Sequence, residues 1–495
     1  MPTTMPLTLD GRHLRCRDVE DIARHAAPIG IDQEARRRVA TARAAALRVA
    51  DRQPVYGLST GVGANRDVPV VDADMSDHGM RLLRSHAART GPVESDETVR
   101  ATMAIRLNQL LAGGSGVRVE VVDALADALQ GDALPTVHRY GTLGTGDLSP
   151  LAELGLTLAG ELPWRFGGAT LVRFVAGEAL AFMSSSALSL ATATLARDDL
   201  ARLVDASHLV AALSFLALSG NPEAYDPAAL AARPHSGAVR VAAQLHELVG
   251  MPSAQRIQDP FALRAIPQVN GVAVEALERL RGVLEVEINA AAENPLIVAD
   301  AGEPRALHHG QFHATEVAAA LDSARLGIAS VAALSSGRLG ALLEPGLTDL
   351  PVFLADGPAG SSGVLLLEYV AHDVLAEIQH AAAPVTTGTA VISRGLEDHA
   401  SFAAQAARYT EELTGLVPTA LACELVAAVR ALRMAPDRIA AGPARKAYER
   451  AAAVLPEALE DRPLGEDIAA AIAVLPELAQ LSHELKGRTA GAVPE

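Results

Sequence analysis

The sequence predicts a mainly α-helical protein, a bundle of long helices with a smaller, loop-rich N-terminal portion. Hydrophobic residues make up 49% of the 495 residues but aromatic residues only 3%, so a core of alanine, leucine and valine must form, which suits closely packed helices. Several long stretches are apolar at helical spacing on more than one face, and such helices must be buried by other helices. A chain of this length would ordinarily form two or more domains.

In the N-terminal region, which we take as residues 1–205, short elements alternate with loops. Residues 7–11 alternate in polarity and end in an Asp-Gly turn signal, which predicts a short strand. Residues 56–63 are polar and glycine-rich, which predicts a loop. Apolar residues at helical spacing predict helices over residues 18–50, 76–88 and 97–111, with another beginning near Val119.

From the middle of the chain onward, and through the predicted helical bundle of residues 206–495, long helices follow one another. Gly, Pro or Asn residues separate them. The predicted long helices cover residues 184–219, 272–292, 314–335, 364–382 and 402–434. We expect loops of the N-terminal region to carry polar side chains to one end of this bundle.

Charge and cysteine content limit the kinds of partner. The formal net charge is −17 and the basic residues are scattered, so we expect no nucleic acid or membrane partner. Two distant cysteines form no CxxC pair, which is typical of a reducing compartment. The N-terminus lacks a signal-peptide pattern, and we expect charges to interrupt every apolar run before it reaches bilayer length. These features predict a soluble, cytoplasmic protein.

The most unusual segment is residues 140–150, Tyr-Gly-Thr-Leu-Gly-Thr-Gly-Asp-Leu-Ser-Pro. Three glycines in eleven residues before an apolar helical run indicate a tight backbone at the start of a helix. A nucleotide-binding loop is disfavoured, because the glycines are spaced in the reverse of the dinucleotide pattern and no Gly-Lys-Ser/Thr follows. An ordinary helix N-terminus capped by Asp147 or Ser149 is the simpler alternative.

This segment resembles the Gly-Ser-Val-Gly-Ala-Ser-Gly-Asp-Leu-Ala-Pro-Leu signature of the histidine and aromatic amino acid ammonia-lyase family. In that family, the Ala-Ser-Gly triplet cyclises and loses water to give methylidene-imidazolone (MIO), an electrophile. Residues 146–152 match without a gap, and the triplet falls on Gly144, Thr145 and Gly146. One residue is missing when the segment is matched from the left.

The resemblance extends in order over nearly the whole chain. It implies the family's helical fold, a small-molecule, amino-acid-like substrate and a homotetramer with active sites shared between subunits. The other matching segments are residues 7–11, 56–63, 85–88, 113–118, 233–237, 258–264, 289–296, 311–313 and 397–399.

The resemblance also implies roles for single residues. Eliminating ammonia requires a better leaving group, which an electrophile bonded to the amine provides, and a group that removes the β-proton, for which Tyr56 is the match. A phenol with a pKa near 10 would need that pKa lowered by positive charge or hydrogen bonds. Arg264 would bind the substrate carboxylate. The remaining substrate-binding candidates are His86, Ser184, Gln258, Phe261, Asn294, Phe312 and Glu397.

Each candidate also has a structural interpretation. Tyr56 could pack, Arg264 could form an ion pair, His86 could be a polar helix residue, and Glu397 could lie at a helix start, near the positive end of its dipole. His309 and His313 are four residues apart, a spacing that would place two imidazoles of a metal site on one face of a helix. The glycine between them weakens a helix, so we predict no metal.

The match fails around the electrophile. Thr145 replaces the serine, and its dehydration would leave an extra methyl group on the exocyclic carbon. Ser184 begins a Ser-Ser-Ser-Ala segment where the family has Asn-Gly-Thr-Gln, Phe261 replaces a tyrosine, and Gln311 replaces an asparagine. Formation of MIO from Gly144-Thr145-Gly146 is therefore in question, and no other cofactor is predicted.

Three functional hypotheses remain open. The first is an ammonia-lyase or 2,3-aminomutase that acts on a histidine-like or aromatic α-amino acid, where His86 with Glu397 favours a histidine-type pocket. The second is an MIO-free relative that uses Tyr56 for another acid-base elimination, a condensation or an acyl reaction on an amino-acid-derived substrate in specialised metabolism. The third is a non-catalytic homologue.

Overall fold

The computed structural model describes residues 6–70, 72–250, 256–299, 302–439 and 442–490. These residues are mainly helical, which confirms the predicted fold class. The helices are α1 Cys16–His25, α2 Gln33–Ala50, α3 Asp72–His86, α4 Asp96–Leu111, α5 Val119–Gln130, α6 Leu148–Leu158, α7 Glu178–Met183, α8 Ala187–Ala217, α9 Pro227–Ala231, α10 Ser236–Val249, α11 Phe261–Arg264, α12 Ile266–Glu287, α13 Thr315–Leu342, α14 Pro345–Thr348, α15 Leu366–Ala381, α16 Ala403–Met434, α17 Pro443–Val454 and α18 Gly465–Ala490.

The described strands are short and form two-stranded sheets. They are β1 Leu7–Leu9, β2 Ile29–Ile31, β3 Leu134–Pro135, β4 Trp164–Phe166, β5 Leu296–Val298 and β6 Arg305–Leu307. Strands β1 and β2 pair in parallel, whereas β3 with β4 and β5 with β6 are antiparallel.

The predicted strand near the N-terminus is confirmed, but the prediction of one helix over residues 18–50 is wrong. Strand β2 separates α1 from α2 and pairs with β1. Helix α1 ends where Ala26 adopts a left-handed backbone with φ +48°. Helix α2 then begins at Asp32, whose side chain accepts a hydrogen bond from the backbone N–H of Ala35 at 2.8 Å.

The chain forms two compact units, neither of which is continuous in sequence. The first unit comprises Met1–Leu195, Leu280–Leu321 and Pro384–Arg408, and the second comprises Ala196–Arg279, Asp322–Ala383 and Tyr409–Glu495. A single division at residue 205, as expected from the sequence, does not describe these units, because two later segments pack with the N-terminal residues.

Within the first unit, a buried arginine on α4 joins two segments that lead to the candidate site. Arg106 donates hydrogen bonds to the backbone oxygens of Ala181 and Phe182 at 2.6 and 3.0 Å, and to Glu293 at 2.9 Å. Both charged side chains are 1% exposed. Removing one partner from such a pair typically costs about 3–5 kcal/mol, so this pair holds the chain just before Ser184 and Asn294 in place.

Within the second unit, a buried ion pair links three long helices. Arg338 on α13 donates two hydrogen bonds to Glu424 on α16, at 2.6 and 2.9 Å. Ser214 on α8 and Ser335 on α13 donate to the same carboxylate at 2.6 and 2.5 Å. The carboxylate is therefore fully hydrogen-bonded, as a buried charge requires.

Three described helical stretches are long and apolar enough to cross a membrane, judged by length and composition alone: Glu178–Ala217, Thr315–Leu342 and Ala403–Met434. The expectation that charges interrupt every apolar run is therefore wrong. In each stretch, between 61% and 78% of the most apolar window is buried within the protein. Burial by other helices accounts for this composition.

Candidate functional site

The first unit contains a cavity of about 510 Å³ into which several of the predicted residues project. This volume suits a small-molecule ligand. The predicted residues that line it are Tyr56, Thr145, Ser184, Asn294, Phe312 and Glu397. They come from segments far apart in the sequence, so the fold brings them together as the resemblance implied.

The loop before α6 depends on glycine backbones. Gly141, Gly144 and Gly146 have φ values of +116°, +83° and +115°, which disfavour other residues. A Cβ atom on Gly144 would lie 2.1 Å from Ser401 Oγ, whereas one on Gly146 would meet no atom closer than 3.7 Å. Position 144 is therefore sterically closed on its buried side, and position 146 is open.

Asp147 fixes the loop to α8 and does not cap α6 with its side chain. Its carboxylate accepts hydrogen bonds from Thr142 Oγ1 at 2.7 Å and from the backbone N–H and hydroxyl of Ser189 at 2.7 and 2.9 Å. Burial, the largest influence, raises the pKa of Asp147 despite these bonds. Ser149 accepts a hydrogen bond from Ala88 N. The alternative of an ordinary side-chain cap by Asp147 or Ser149 is therefore wrong.

Residues 401–405, at the start of α16, bind the backbone oxygens of the loop. Phe402 N donates to the oxygen of Leu143 at 2.9 Å, and Ser401 Oγ donates to the oxygen of Gly144 at 2.8 Å. Gln405 Nε2 donates to the oxygen of Thr142 at 3.2 Å. Sequence reasoning missed this segment, although it directly follows the matching residues 397–399.

Tyr56 lines the cavity with its hydroxyl hydrogen-bonded to the backbone. The N–H of Gly63 donates to the phenol oxygen at 2.7 Å. Burial raises the pKa of Tyr56, and the negative charge of Glu397 raises it further, whereas the Gly63 N–H and Arg66 act in the opposite direction. The net shift of the Tyr56 pKa is upward, so the surroundings of this residue do not provide the lowering that a base acting at neutral pH would need.

Ser184 and Asn294 are connected to each other. The backbone N–H of Asn294 donates to Ser184 Oγ at 3.3 Å, and the side-chain oxygen of Asn294 accepts from the backbone N–H of His309 at 3.0 Å. The amide of Asn294 is thereby oriented, and its NH₂ group makes no hydrogen bond within the described part of the chain. That group can donate to a ligand in the cavity.

Four predicted residues do not line the cavity. The ring nitrogen Nδ1 of His86 is hydrogen-bonded to the backbone oxygen of Leu82 at 2.8 Å. Gln258, Phe261 and Arg264 belong to the second unit. There the Arg264 guanidinium lies 4.5 Å from the centre of the Phe261 ring, and Phe261 is 70% exposed. The substrate-binding roles of these four residues stay predictions.

Further polar residues line the cavity that sequence reasoning did not select. Thr60, Arg66, Asp67 and His308 belong to the lining, and Arg66 Nε lies 3.6 Å from Asp67 Oδ2. Arg66 and Asp67 lie a few positions after the matching segment 56–63. This closeness in sequence is the feature from which their place in the cavity could have been predicted. The cavity therefore carries groups of both charges near Tyr56.

The two histidines that are four residues apart, His309 and His313, lie in the connection between β6 and α13 and not on a helix. His313 Nε2 lies 3.1 Å from His399 Nδ1, within hydrogen-bond range, and its Nδ1 is 2.6 Å from Thr315 Oγ1. Both ring nitrogens of His313 are thus occupied by side chains. Among the residues that the structure describes, no group of three or more His, Cys, Asp or Glu side chains is placed to hold a metal ion.

The Gly144-Thr145-Gly146 triplet fits the backbone cyclisation that produces MIO. The carbonyl of Gly144, which is the site of attack in this cyclisation, accepts two hydrogen bonds. The backbone N–H of Gly146, which is the attacking group, makes no hydrogen bond within the described residues. Thr145 lines the cavity, where an electrophile would have to be presented. The residues present thus fit the formation of MIO. In this conformation residue 144 has to be glycine, because the Cβ of the family's alanine would clash with Ser401 Oγ.

The chain is similar to known proteins over most of its length. The family model for aromatic amino acid lyases matches residues 14–453. Histidine ammonia-lyase of Sorangium cellulosum is 35% identical over 93% of this chain and 95% of its own length. Histidine ammonia-lyase of Trypanosoma cruzi superposes with a TM-score of 0.88 at 27% identity, covering 97% and 95% of the two chains. Tyrosine aminomutase of Streptomyces globisporus gives 0.89 at 25% identity, covering 97% and 99%.

The family model spans most of the chain, and the relatives agree with it over nearly their whole lengths. Together with the cavity that holds Tyr56, Thr145 and Asn294, these matches show that the chain is a lyase that belongs to the aromatic amino acid lyase family.

Proposed function

We propose that this enzyme is an ammonia-lyase that removes ammonia from a histidine-like α-amino acid by β-elimination. The observation that carries the proposal is that Tyr56, Thr145, Asn294 and Glu397 line one cavity. The similarity to proteins named histidine ammonia-lyase supports it, as does the presence of a carboxylate in a partly apolar pocket.

The electrophile derived from Gly144-Thr145-Gly146 would supply covalent activation of the substrate amine as a leaving group. The side chains of the pocket would orient the rest of the substrate. Glu397 would accept a hydrogen bond from the ring N–H of an imidazole, and the apolar residues Leu148, Leu180 and Phe312 would contact the ring carbons. The NH₂ group of Asn294 would donate to the substrate carboxylate.

Tyr56 would move the proton. Its raised pKa keeps the phenol protonated near neutral pH, and the Gly63 N–H donates to the oxygen on which negative charge develops when the proton leaves. Removal of the β-proton therefore becomes faster as the pH rises toward the pKa of this phenol.

The carboxylate-binding arginine would come from another copy of the chain. Arg264 belongs to the second unit, beside an exposed phenylalanine. We propose a homotetramer in which Arg264, with Gln258 and Phe261, of a neighbouring subunit completes the cavity of the first unit, as the family resemblance implied. A cytoplasmic location of this tetramer is proposed from the charge and cysteine content alone.

The test is incubation of the purified protein with L-histidine, L-phenylalanine and L-tyrosine, with ammonia and organic products measured separately. A lyase releases ammonia with an α,β-unsaturated acid, whereas an aminomutase gives a β-amino acid. We expect ammonia from histidine, its loss in Tyr56→Phe, and its retention in the matched control Tyr369→Phe, which alters a tyrosine exposed on α15.

A β-amino acid as the main product would show the aminomutase reaction. Absence of both products from every amino acid would overturn the proposal. An intact mass without the loss of two waters would, in that case, favour the MIO-free alternative. That alternative depends on Thr145, which replaces the serine from which the family forms MIO.

A further inference from the structure

The carbonyl oxygen of Gly144 accepts two hydrogen bonds from segments far away in the sequence. One comes from Ser401 Oγ at 2.8 Å and the other from the backbone N–H of Ala314 at 3.1 Å. Ser401 is 3% exposed and its oxygen accepts a hydrogen bond from Ala403 N at 3.3 Å, which leaves the hydroxyl proton for Gly144. Two donors aimed at one carbonyl oxygen in a buried site are the arrangement that stabilises a developing oxyanion.

We propose that Ser401 and the Ala314 N–H form an oxyanion-stabilising site through which the chain closes its own Gly144-Thr145-Gly146 ring. This inference rests on the proposed function only in assuming that the electrophile is made from these three residues. The reaction is a self-modification, so its catalyst acts on the backbone and not on the substrate.

The covalent step balances without an oxidant or a second reactant. The backbone nitrogen of Gly146 bonds to the carbonyl carbon of Gly144, and negative charge moves to the oxygen held by Ser401. That oxygen leaves as water with the N–H protons of Gly146 and Thr145, and a carbon–nitrogen double bond forms. A second water forms from the Cα proton and the hydroxyl of Thr145. The chain loses the mass of two water molecules and carries an exocyclic double bond with one methyl group.

The surroundings of the loop favour this closure. Phe402 N and Gln405 Nε2 hold the backbone oxygens of Leu143 and Thr142, so the loop is fixed before the reaction. The N–H of Gly146 makes no hydrogen bond within the described residues, so none has to be broken for attack on Gly144. Restricting the loop in this way reduces the entropic cost of reaching the attacking geometry.

The position of Ser401 also explains why residue 144 is glycine. A methyl group at this position would lie 2.1 Å from Ser401 Oγ, so alanine and the Ser401 hydrogen bond exclude each other in this conformation. The chain has the residue that permits the hydrogen bond.

The test follows the mass of newly made chains. Full-length wild-type, Ser401→Ala and Ser401→Cys proteins are produced by cell-free translation, and the peptide containing residues 144–146 is quantified by mass spectrometry over time. Ser149→Ala is the matched control, because Ser149 is a buried hydroxyl that binds Ala88 N and no carbonyl of the triplet. Thermal unfolding of each protein reports whether it has folded.

We expect the wild type and Ser149→Ala to lose two waters at the same rate. Loss of one oxyanion donor slows reactions about 10²–10³-fold, so Ser401→Ala should be slower by about that factor. Ser401→Cys preserves the packing of a small side chain, but its thiol is a weak hydrogen-bond donor. If the Ser401→Cys protein is folded and also loses water slowly, the effect is due to the lost hydrogen bond.

Equal rates in the wild type and in folded Ser401 variants would overturn the role of Ser401 while leaving the proposed function intact. A wild-type chain that never loses water would overturn both this inference and the electrophile. A wild-type chain that loses two waters but releases no ammonia would overturn the proposed function alone.

Discussion

Replacing Gly144 by alanine restores the residue of the family signature, yet we expect it to destabilise the protein. A left-handed backbone costs alanine about 1–2 kcal/mol relative to a favourable conformation, and the φ of Gly144 is +83°. The added Cβ would also lie 2.1 Å from Ser401 Oγ and 2.6 Å from Ala403 N. Forcing a methyl group into a filled site typically costs about 1–3 kcal/mol. The expected loss is thus about 2–5 kcal/mol.

Gly146→Ala separates the two contributions. The φ of Gly146 is +115°, so alanine is strained there as well, but its Cβ would meet no atom closer than 3.7 Å. Both substitutions are made in Thr145→Ala chains, which cannot lose the threonine hydroxyl, and free energies of unfolding are measured in denaturant. Gly144→Ala should be less stable than Gly146→Ala by the free-energy cost of the steric clash, about 1–3 kcal/mol. A Gly144→Ala chain at least as stable as Gly146→Ala would refute the structural reasoning.

Three further predictions concern titratable groups. Because the pKa of Tyr56 is raised, kcat/KM should increase with pH into the alkaline range, and a profile that is flat there would show that Tyr56 is not the base. Glu397→Gln should move this increase to lower pH, since the Glu397 charge raises the Tyr56 pKa, and it should raise the KM for histidine; an unmoved profile would contradict the electrostatic coupling. Burial raises the pKa of Cys423 to about 12, so alkylation at neutral pH should modify Cys423 in denatured but not in native protein.

The sequence was a good guide where local pattern decides the structure. The long apolar helices and the strand at Leu7–Leu9 followed from periodicity, which the structure reproduces. Strand β2 could not be predicted in this way, because Ile29–Ile31 is apolar enough to continue a helical pattern. Its state is decided by pairing with β1, a contact between residues more than twenty positions apart.

The site could be predicted only as far as side-chain motifs reach. Tyr56 and Glu397 follow from the resemblance and do line the cavity. Ser401 was missed, because its partner is a backbone oxygen, and backbone partners leave no trace in motif spacing. The direction of the Tyr56 pKa was also beyond the sequence, because it depends on burial, which opposes the Gly63 hydrogen bond and dominates it.

The triplet departs from the family signature at Gly144, which replaces alanine, and at Thr145, which replaces serine. The two departures differ from the signature only in the position of one methyl group. Gly-Thr contains the same side-chain atoms as the family's Ala-Ser, but the methyl is moved from residue 144 to residue 145. On the buried side, Ser401 leaves no space for it, whereas Thr145 lies in the cavity wall. There the methyl group narrows the cavity beside the atoms that, in the proposed mechanism, would react with the substrate amine.

Thr145→Ser therefore tests whether this methyl group limits the reaction. One methylene-sized group in a pocket changes kcat/KM by about 10–200-fold, so Thr145→Ser should increase kcat/KM for amino acids with bulky side chains by a factor in that range. Intact mass would verify that both proteins have lost two waters, so that the comparison concerns the methyl group alone. For each amino acid, kcat/KM of the wild type is compared with kcat/KM of Thr145→Ser. The amino acid for which the wild-type value is reduced least is the one whose shape the threonine accommodates. If every amino acid reacted equally fast with both proteins, the methyl group would have no part in substrate selection.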